Sequence, residues 1–232
     1  MKKWIALFLM LSLVLAAAFA AAETRITVKG TGEVRITADT AVVSLGINAR
    51  DREVLKAQQM ANETIAAIRT ALAGKGISEE NITTEYISIY AVYDYRNEQE
   101  EVVAYNASST LAVRVTDMES IGKVIDAAFA AGANTLNGIS FSASDTEEAK
   151  TEAMKKAVED ARKKAETLAE ASGLKITGTE TIAEGDTFSY ENSTGNAYAK
   201  GLGTEEEADA GTVVQAAKLL VNASVSMTFT AE

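Results

Sequence analysis

Ile82-Thr-Thr-Glu-Tyr-Ile-Ser-Ile-Tyr-Ala-Val-Tyr-Asp-Tyr95, the polar residues Arg96 to Glu101, and Val102-Val-Ala-Tyr-Asn-Ala-Ser-Ser-Thr-Leu-Ala-Val-Arg-Val115 together decide the fold. Both flanking stretches are dense in β-branched and aromatic residues and contain neither Gly nor Pro, so each reads as one long strand. Two strands joined by a short polar loop pair antiparallel. The core of the fold is therefore a long hairpin.

Upstream, Ile26, Val28, Val34 and Ile36 alternate with polar residues around Lys29-Gly30-Thr31-Gly32, a strand with a Gly bend. Ala38-Asp39-Thr40 turns the chain into Ala41 to Ala49, with Val43, Leu45 and Ile47 on one face, and the two strands read as a second long hairpin. Arg50 to Ala73 carries Leu55, Met60, Ile65, Ile68 and Leu72 near helical spacing and stops at Gly74-Lys75-Gly76.

Downstream of the hairpin, Asp117 opens a helix with Ile121, Val124, Ile125, Ala128 and Phe129, ended by Ala131-Gly132-Ala133-Asn134. Leu136 to Ala143 is a strand. Ser144-Asp145-Thr146-Glu147 has the pattern of a capping box and opens the longest helix, which runs to Ser172-Gly173. Ala149, Ala153, Ala157, Ala161, Ala165 and Ala169 recur along it as a small-residue stripe, and Glu159 and Lys163 are spaced for an ion pair on the opposite face. Leu174 to Ala183 is a further strand. Residues 185–211 lose apolar periodicity, gain Gly, Asn and Ser and hold the acidic run Glu205-Glu206-Glu207, which predicts a long surface loop. Val213 to Phe229 is the last strand, with Leu219, Val221, Ala223, Val225, Met227 and Phe229 alternating. The class is α+β: a largely antiparallel sheet built from long hairpins, with about three helices packed on it.

Lys2 and Lys3 precede the apolar run Trp4 to Ala16, and Ala18-Phe19-Ala20 and Ala20-Ala21-Ala22 both satisfy the small-x-small rule. Residues 1–22 are thus expected to be a signal peptide, the mature chain starting at Ala21 or Glu23; an uncleaved anchor is the alternative. Residues 23–232 are read as one domain, with no membrane span left after cleavage. The chain carries a net charge of −11, and losing Lys2 and Lys3 makes it −13. Without a basic block it has no means of holding nucleic acid.

The absent residue types bound the chemistry. There is no Cys, no His and no Pro. Disulfides, thiolate nucleophiles, soft metal sites, imidazole ligands and the usual catalytic triads are all excluded. No catalytic, metal or cofactor-binding residues are assigned, and the protein is read as a non-enzyme. A hydrolase built on paired carboxylates needs two carboxyls facing one another, and nothing in the sequence marks such a pair. Gly30-x-Gly32 lacks the third Gly and the helix of a phosphate loop. Glu205 to Asp209 lacks the spacing of a calcium loop. The four methionines beyond residue 22, at 60, 118, 154 and 227, are the oxidisable sulfur of the mature chain, too little for a peroxidase.

Tyr86, Tyr90, Tyr93, Tyr95 and Tyr105 gather in the Ile82–Val115 hairpin. Tyr buries a large area while keeping a polar tip, which suits an oligomer interface; packing within the monomer is the competing reading.

The chain resembles the SIMPL-domain family of YggE-like exported proteins. The residues carrying the resemblance run in order over 25 to 230: Ile26-Thr-Val-Lys-Gly-Thr-Gly-Glu-Val34, Ala38-Asp-Thr-Ala41, Ser44-Leu-Gly46, Gly76-Ile77, Asn81-Ile-Thr-Thr84, Asp126-Ala-Ala128, Gly132-Ala-Asn134, Gly138-Ile139 with Phe141, and Lys164-Ala165 with Leu168-Ala169. It departs from the pattern at Ala38, where the family has Pro, and at Ala104, where it has Gly. The resemblance implies an exported α+β protein without a catalytic residue set. It also implies a ring-like homo-oligomer and an association with tolerance of oxidative stress, necessarily indirect here. The alternative is a monomeric module binding a small ligand or protein through residues 185–211.

Overall fold

The computed structural model describes residues 23–94, 100–185, 190–192, 211–216 and 218–232. Among these, eight strands and three helices form two sheets: β1 Thr24–Thr37, β2 Thr40–Asp51, α1 Val54–Ala73, β3 Ile82–Asp94, β4 Glu101–Val115, α2 Ile121–Ala130, β5 Thr135–Ser142, α3 Glu147–Ala171, β6 Ile176–Glu184, β7 Tyr190–Asn192 and β8 Lys218–Ala231. The class is α+β, as the sequence predicts. One sheet has the order β1-β8-β6, with β7 also on β8; the other is β3-β4-β2-β5.

The chain divides into two compact units, and the division falls within β1 and within β8. The larger unit holds Arg35–Asp145 and Glu191–Leu220. Its sheet pairs β4 antiparallel with both β3 and β2, and β2 antiparallel with β5. Val43 and Leu45 of β2 and Leu111 and Val113 of β4 are fully buried, with Ile68 and Leu72 of α1 and Ile121 and Val124 of α2, in one cluster. Covering this face with two helices leaves the other face of the sheet polar, with Ser44, Asn48, Ser108 and Arg114.

The smaller unit holds residues 23–34, Thr146–Tyr190 and Val221–Glu232. Here the alternation read on β8 is realised: Val221, Ala223, Val225, Met227 and Phe229 are buried. All six Ala of the α3 stripe are buried as well. Gly30 and Gly32 supply the room: a Cβ on Gly30 would overlap the carbonyl oxygen of Ala157, and one on Gly32 that of Ala153. β1 shows no bend there, so the two glycines serve close approach of a helix rather than a change of direction.

Several boundaries differ from expectation for identifiable reasons. β1 and β2 do not form a hairpin; they follow one another in sequence but lie in different sheets. Asp39 lies in the short link from β1 to β2, accepting from Ser144 N at 2.8 Å, Ser144 Oγ at 2.5 Å and Thr40 Oγ1 at 3.0 Å. Ser144 is thereby engaged away from α3, whose N-cap Thr146 makes no side-chain cap bond, so the capping box is not formed. α1 starts at Val54 because Arg50 and Asp51 still pair with Asn106 and Tyr105 of β4. On α3 the ion pairs include Glu147–Lys150, Glu152–Lys156 and Asp160–Lys164, while the predicted Glu159–Lys163 pair is not formed. The last strand starts at Lys218. Ahead of it, Thr212 is held on α2 by Asp126, which accepts from its N–H at 3.1 Å and its hydroxyl at 2.6 Å, while Gly122 leaves space for the Thr212 carbonyl. Of the predicted loop 185–211, Tyr190–Asn192 is a short strand on β8; residues 186–189 and 193–210, with the acidic run, lie outside the described residues, as do the predicted signal residues 1–22. Among the described residues no helix is long and apolar enough to cross a membrane.

Candidate functional site

The β3–β4 hairpin is longer than the sheet that carries it. β2 runs out at Asp51, opposite Tyr105, while β3 continues alongside β4 to the pairs Val92–Ala104, Tyr93–Val102 and Asp94–Glu101. Glu101–Ala104 therefore lies beyond the reach of β2, and the hairpin continues past it as a two-stranded ribbon. β3 is also an edge strand, and after Ile82 none of its residues is buried.

The register assigns the faces. Tyr86 and Tyr90 stand opposite Thr110 and Asn106 on the polar face of the sheet. Ile87 and Ile89 stand opposite Ser109 and Ala107 on the face that carries α1. Tyr86 is 57% exposed, Tyr90 50%, Ile87 66% and Ile89 39%. The Asn106 amide donates to the Tyr90 hydroxyl at 3.1 Å, and Asn106 Oδ1 is buried with no partner among the described residues.

The five tyrosines are not equivalent. Tyr86 and Tyr90 share one face and are exposed; Tyr93 is exposed nearer the tip. Tyr105 packs against Ile47, Ala49, Ala57, Ala61 and Ala107, within the monomer. Tyr95 lies outside the described residues. Ile87, Ile89, Val102 and Val103 complete the exposed apolar surface, and sequence reading passed over them. The signal was available: apolar residues at 86, 87, 89, 90, 92 and 93 break the two-residue period that one buried face produces.

Elsewhere the perturbed groups hold the fold. The Lys164 ammonium, at 2.7 Å, and then the Thr31 N–H, at 2.8 Å, keep the Asp160 carboxyl below its ordinary pKa. The Ser144 hydroxyl and then its N–H do the same for Asp39, and Glu53 raises the pKa of Lys56. A groove of about 670 Å³ between β1 and β8 is lined by Lys29, Thr31, Glu33, Ser224 and Ser226, with Glu33 as its one carboxylate. A second, over α3, has Asp160 alone. Neither groove opposes two carboxylates as glycoside hydrolysis needs. No cluster of three or more potential metal ligands occurs among the described residues.

Residues 26–229 match the SIMPL family, described as a protein of unknown function (DUF541). The 26 kDa periplasmic immunogenic protein of Brucella melitensis is 28% identical over 155 residues, covering 65% of this chain and 62% of that protein. The uncharacterized protein YggE of Escherichia coli K12 is 24% identical over 144 residues, covering 62% of this chain and 58% of its own length. The chain thus spans about three fifths of the curated relatives it matches. With a match that extends over nearly all the described strands and helices, the chain belongs to the SIMPL family.

Proposed function

We propose that this is a non-enzymatic protein of the bacterial envelope that works as an assembly of identical copies joined through the β3–β4 hairpin, with an indirect part in stress tolerance. The observation carrying the reading is the exposed apolar surface of a hairpin that outruns its sheet. A patch of Tyr, Ile and Val on an edge strand is costly to leave in water and is usual where another surface covers it. Export is supported by the signal-like residues 1–22 and by the periplasmic location in the Brucella relative's name. The non-enzymatic reading is supported by a chain without Cys or His and by carboxylates engaged in holding the fold.

Light scattering on residues 23–232 eluting from a size-exclusion column tests the reading. A discrete oligomer at micromolar concentration is expected, and Tyr86→Ser combined with Tyr90→Ser shifts it toward monomer with an unchanged far-UV spectrum. A single monomeric species at all concentrations overturns assembly and makes the monomeric binding module the better account.

A further inference from the structure

We propose that the contact between copies is a continuous sheet, in which β3 pairs antiparallel with β3 of a second copy about a two-fold axis through Ser88. This rests on the assembly reading above and makes its geometry specific.

The edges of the two sheets are treated differently. β1 is an edge strand, but α3 occupies its outward backbone groups. Lys164 Nζ donates to Lys29 O at 3.0 Å, Thr31 N donates to Asp160 at 2.8 Å, and Lys156 Nζ donates to Glu33 O at 3.3 Å. β5 is broken by a bulge at Asn137, next to Gly138 with φ of 145°. β6 has two register shifts along its pairing with β8. Edges guarded in these ways resist strand addition. β3 also shifts register, at Thr84/Tyr86 and at Val92/Tyr93, but between the shifts Tyr86 to Val92 runs unbroken against Thr110 to Ala104, a longer regular stretch than the Thr181–Glu184 of β6, and Ile82–Asp94 contains no Lys, Arg or Pro.

The sequence of that regular stretch identifies its partner. Tyr86-Ile87-Ser88-Ile89-Tyr90 reads the same in both directions. A two-fold antiparallel pairing inverts one copy relative to the other, so a palindrome meets itself. Centred on Ser88, it sets Tyr86 opposite Tyr90 of the second copy and Ile87 opposite Ile89, with the Tyr pairs on one face and the Ile pairs on the other. Aromatic and β-branched cross-strand pairs of this kind stabilise a sheet. Sliding by one residue mixes the two faces; sliding by two sets a Tyr opposite Ser88 or Val92. The strand's acidic groups lie outside the paired stretch: Glu85 is the bulge residue ahead of Tyr86, its carboxylate accepting from the Ser44 hydroxyl, and Asp94 follows the register shift at Val92/Tyr93.

The absence of Cys from the chain makes the test clean. Directly opposed residues on antiparallel strands have Cα atoms about 4.5–5.5 Å apart, within disulfide range. Under mild oxidation Ser88→Cys is expected to give a covalent dimer nearly quantitatively, and Thr84→Cys little. Tyr86→Cys and Tyr90→Cys cross-link when mixed, and neither does so alone. Ile87→Lys, at an exposed position, weakens association at least about tenfold without changing the far-UV spectrum. A discrete oligomer in which Ser88→Cys links no faster than Thr84→Cys, or in which Ile87→Lys assembles like the parent, overturns this pairing and leaves assembly standing. A monomer by light scattering overturns both. Linkage of Ser88→Cys to an added extended peptide in preference to its own copy also rejects the two-fold arrangement.

Discussion

Gly30 and Gly32 have no side chain because the backbone of α3 stands where a Cβ would be. Substituting either with Ala forces helix and strand apart, and overpacking of this kind costs about 1–3 kcal/mol. Gly74, at the end of α1 with an ordinary helical φ of −64°, is the control: Gly74→Ala is expected to stay within about 0.5 kcal/mol of the parent. Urea midpoints of the three variants check both. Asp160 adds a pH-dependent hold on the same strand. Its folded pKa lies below the ordinary carboxylate value of about 3.9, so its contribution is complete above that value and disappears as pH falls through the lower, folded one. Asp160→Asn is therefore less stable than the parent at neutral pH, by less than about 1 kcal/mol for so solvent-screened a pair, and the difference closes as the solution is acidified below pH 4. A denaturation series across pH 2–7 measures it. The Ala stripe and the two glycines were both visible in the sequence. That they face each other was not, because spacing along the chain states which side is small and not what lies against it.

Among the elements, β8 and the β3–β4 hairpin were the most legible, since strict alternation and a polar loop between two β-rich stretches follow from local chemistry. The capping box failed for a non-local reason: Ser144 closes on Asp39, 105 residues away. The start of the last strand failed similarly, through Asp126 and Gly122 of α2 holding Thr212. Breaking that clasp has a local readout. Asp126→Ala is expected to speed cleavage by a non-specific protease near residues 211–216 several-fold while the thermal midpoint moves little, because the segment is a small part of the buried core. Equal cleavage rates in parent and variant would show that the clasp does not hold the segment.

For the whole molecule, the class was read correctly and the pairing of β1 was not. Alternation along β1 states that one face is buried; it does not say which strand lies alongside, and a short turn at Asp39 made a hairpin the natural guess. The structure instead sends β1 to β8, with Thr27 Oγ1 3.0 Å from Thr228 Oγ1. The candidate site was half legible: the tyrosine cluster was seen, while the isoleucines between them and the openness of the edge depend on which strand ends the sheet. The separation of 201 positions from Thr27 to Thr228 also sets an order of events. β2, β3, β4 and β5 all lie within residues 40–142 and can pair as soon as that stretch is available, whereas β1 must wait for the far end of the chain. Pulse-labelling hydrogen exchange during refolding should find the β2–β4 amides protected before those of β6 and β8. For a chain threaded through a membrane from its N-terminus, β1 is then the first strand to emerge and among the last to find its neighbour.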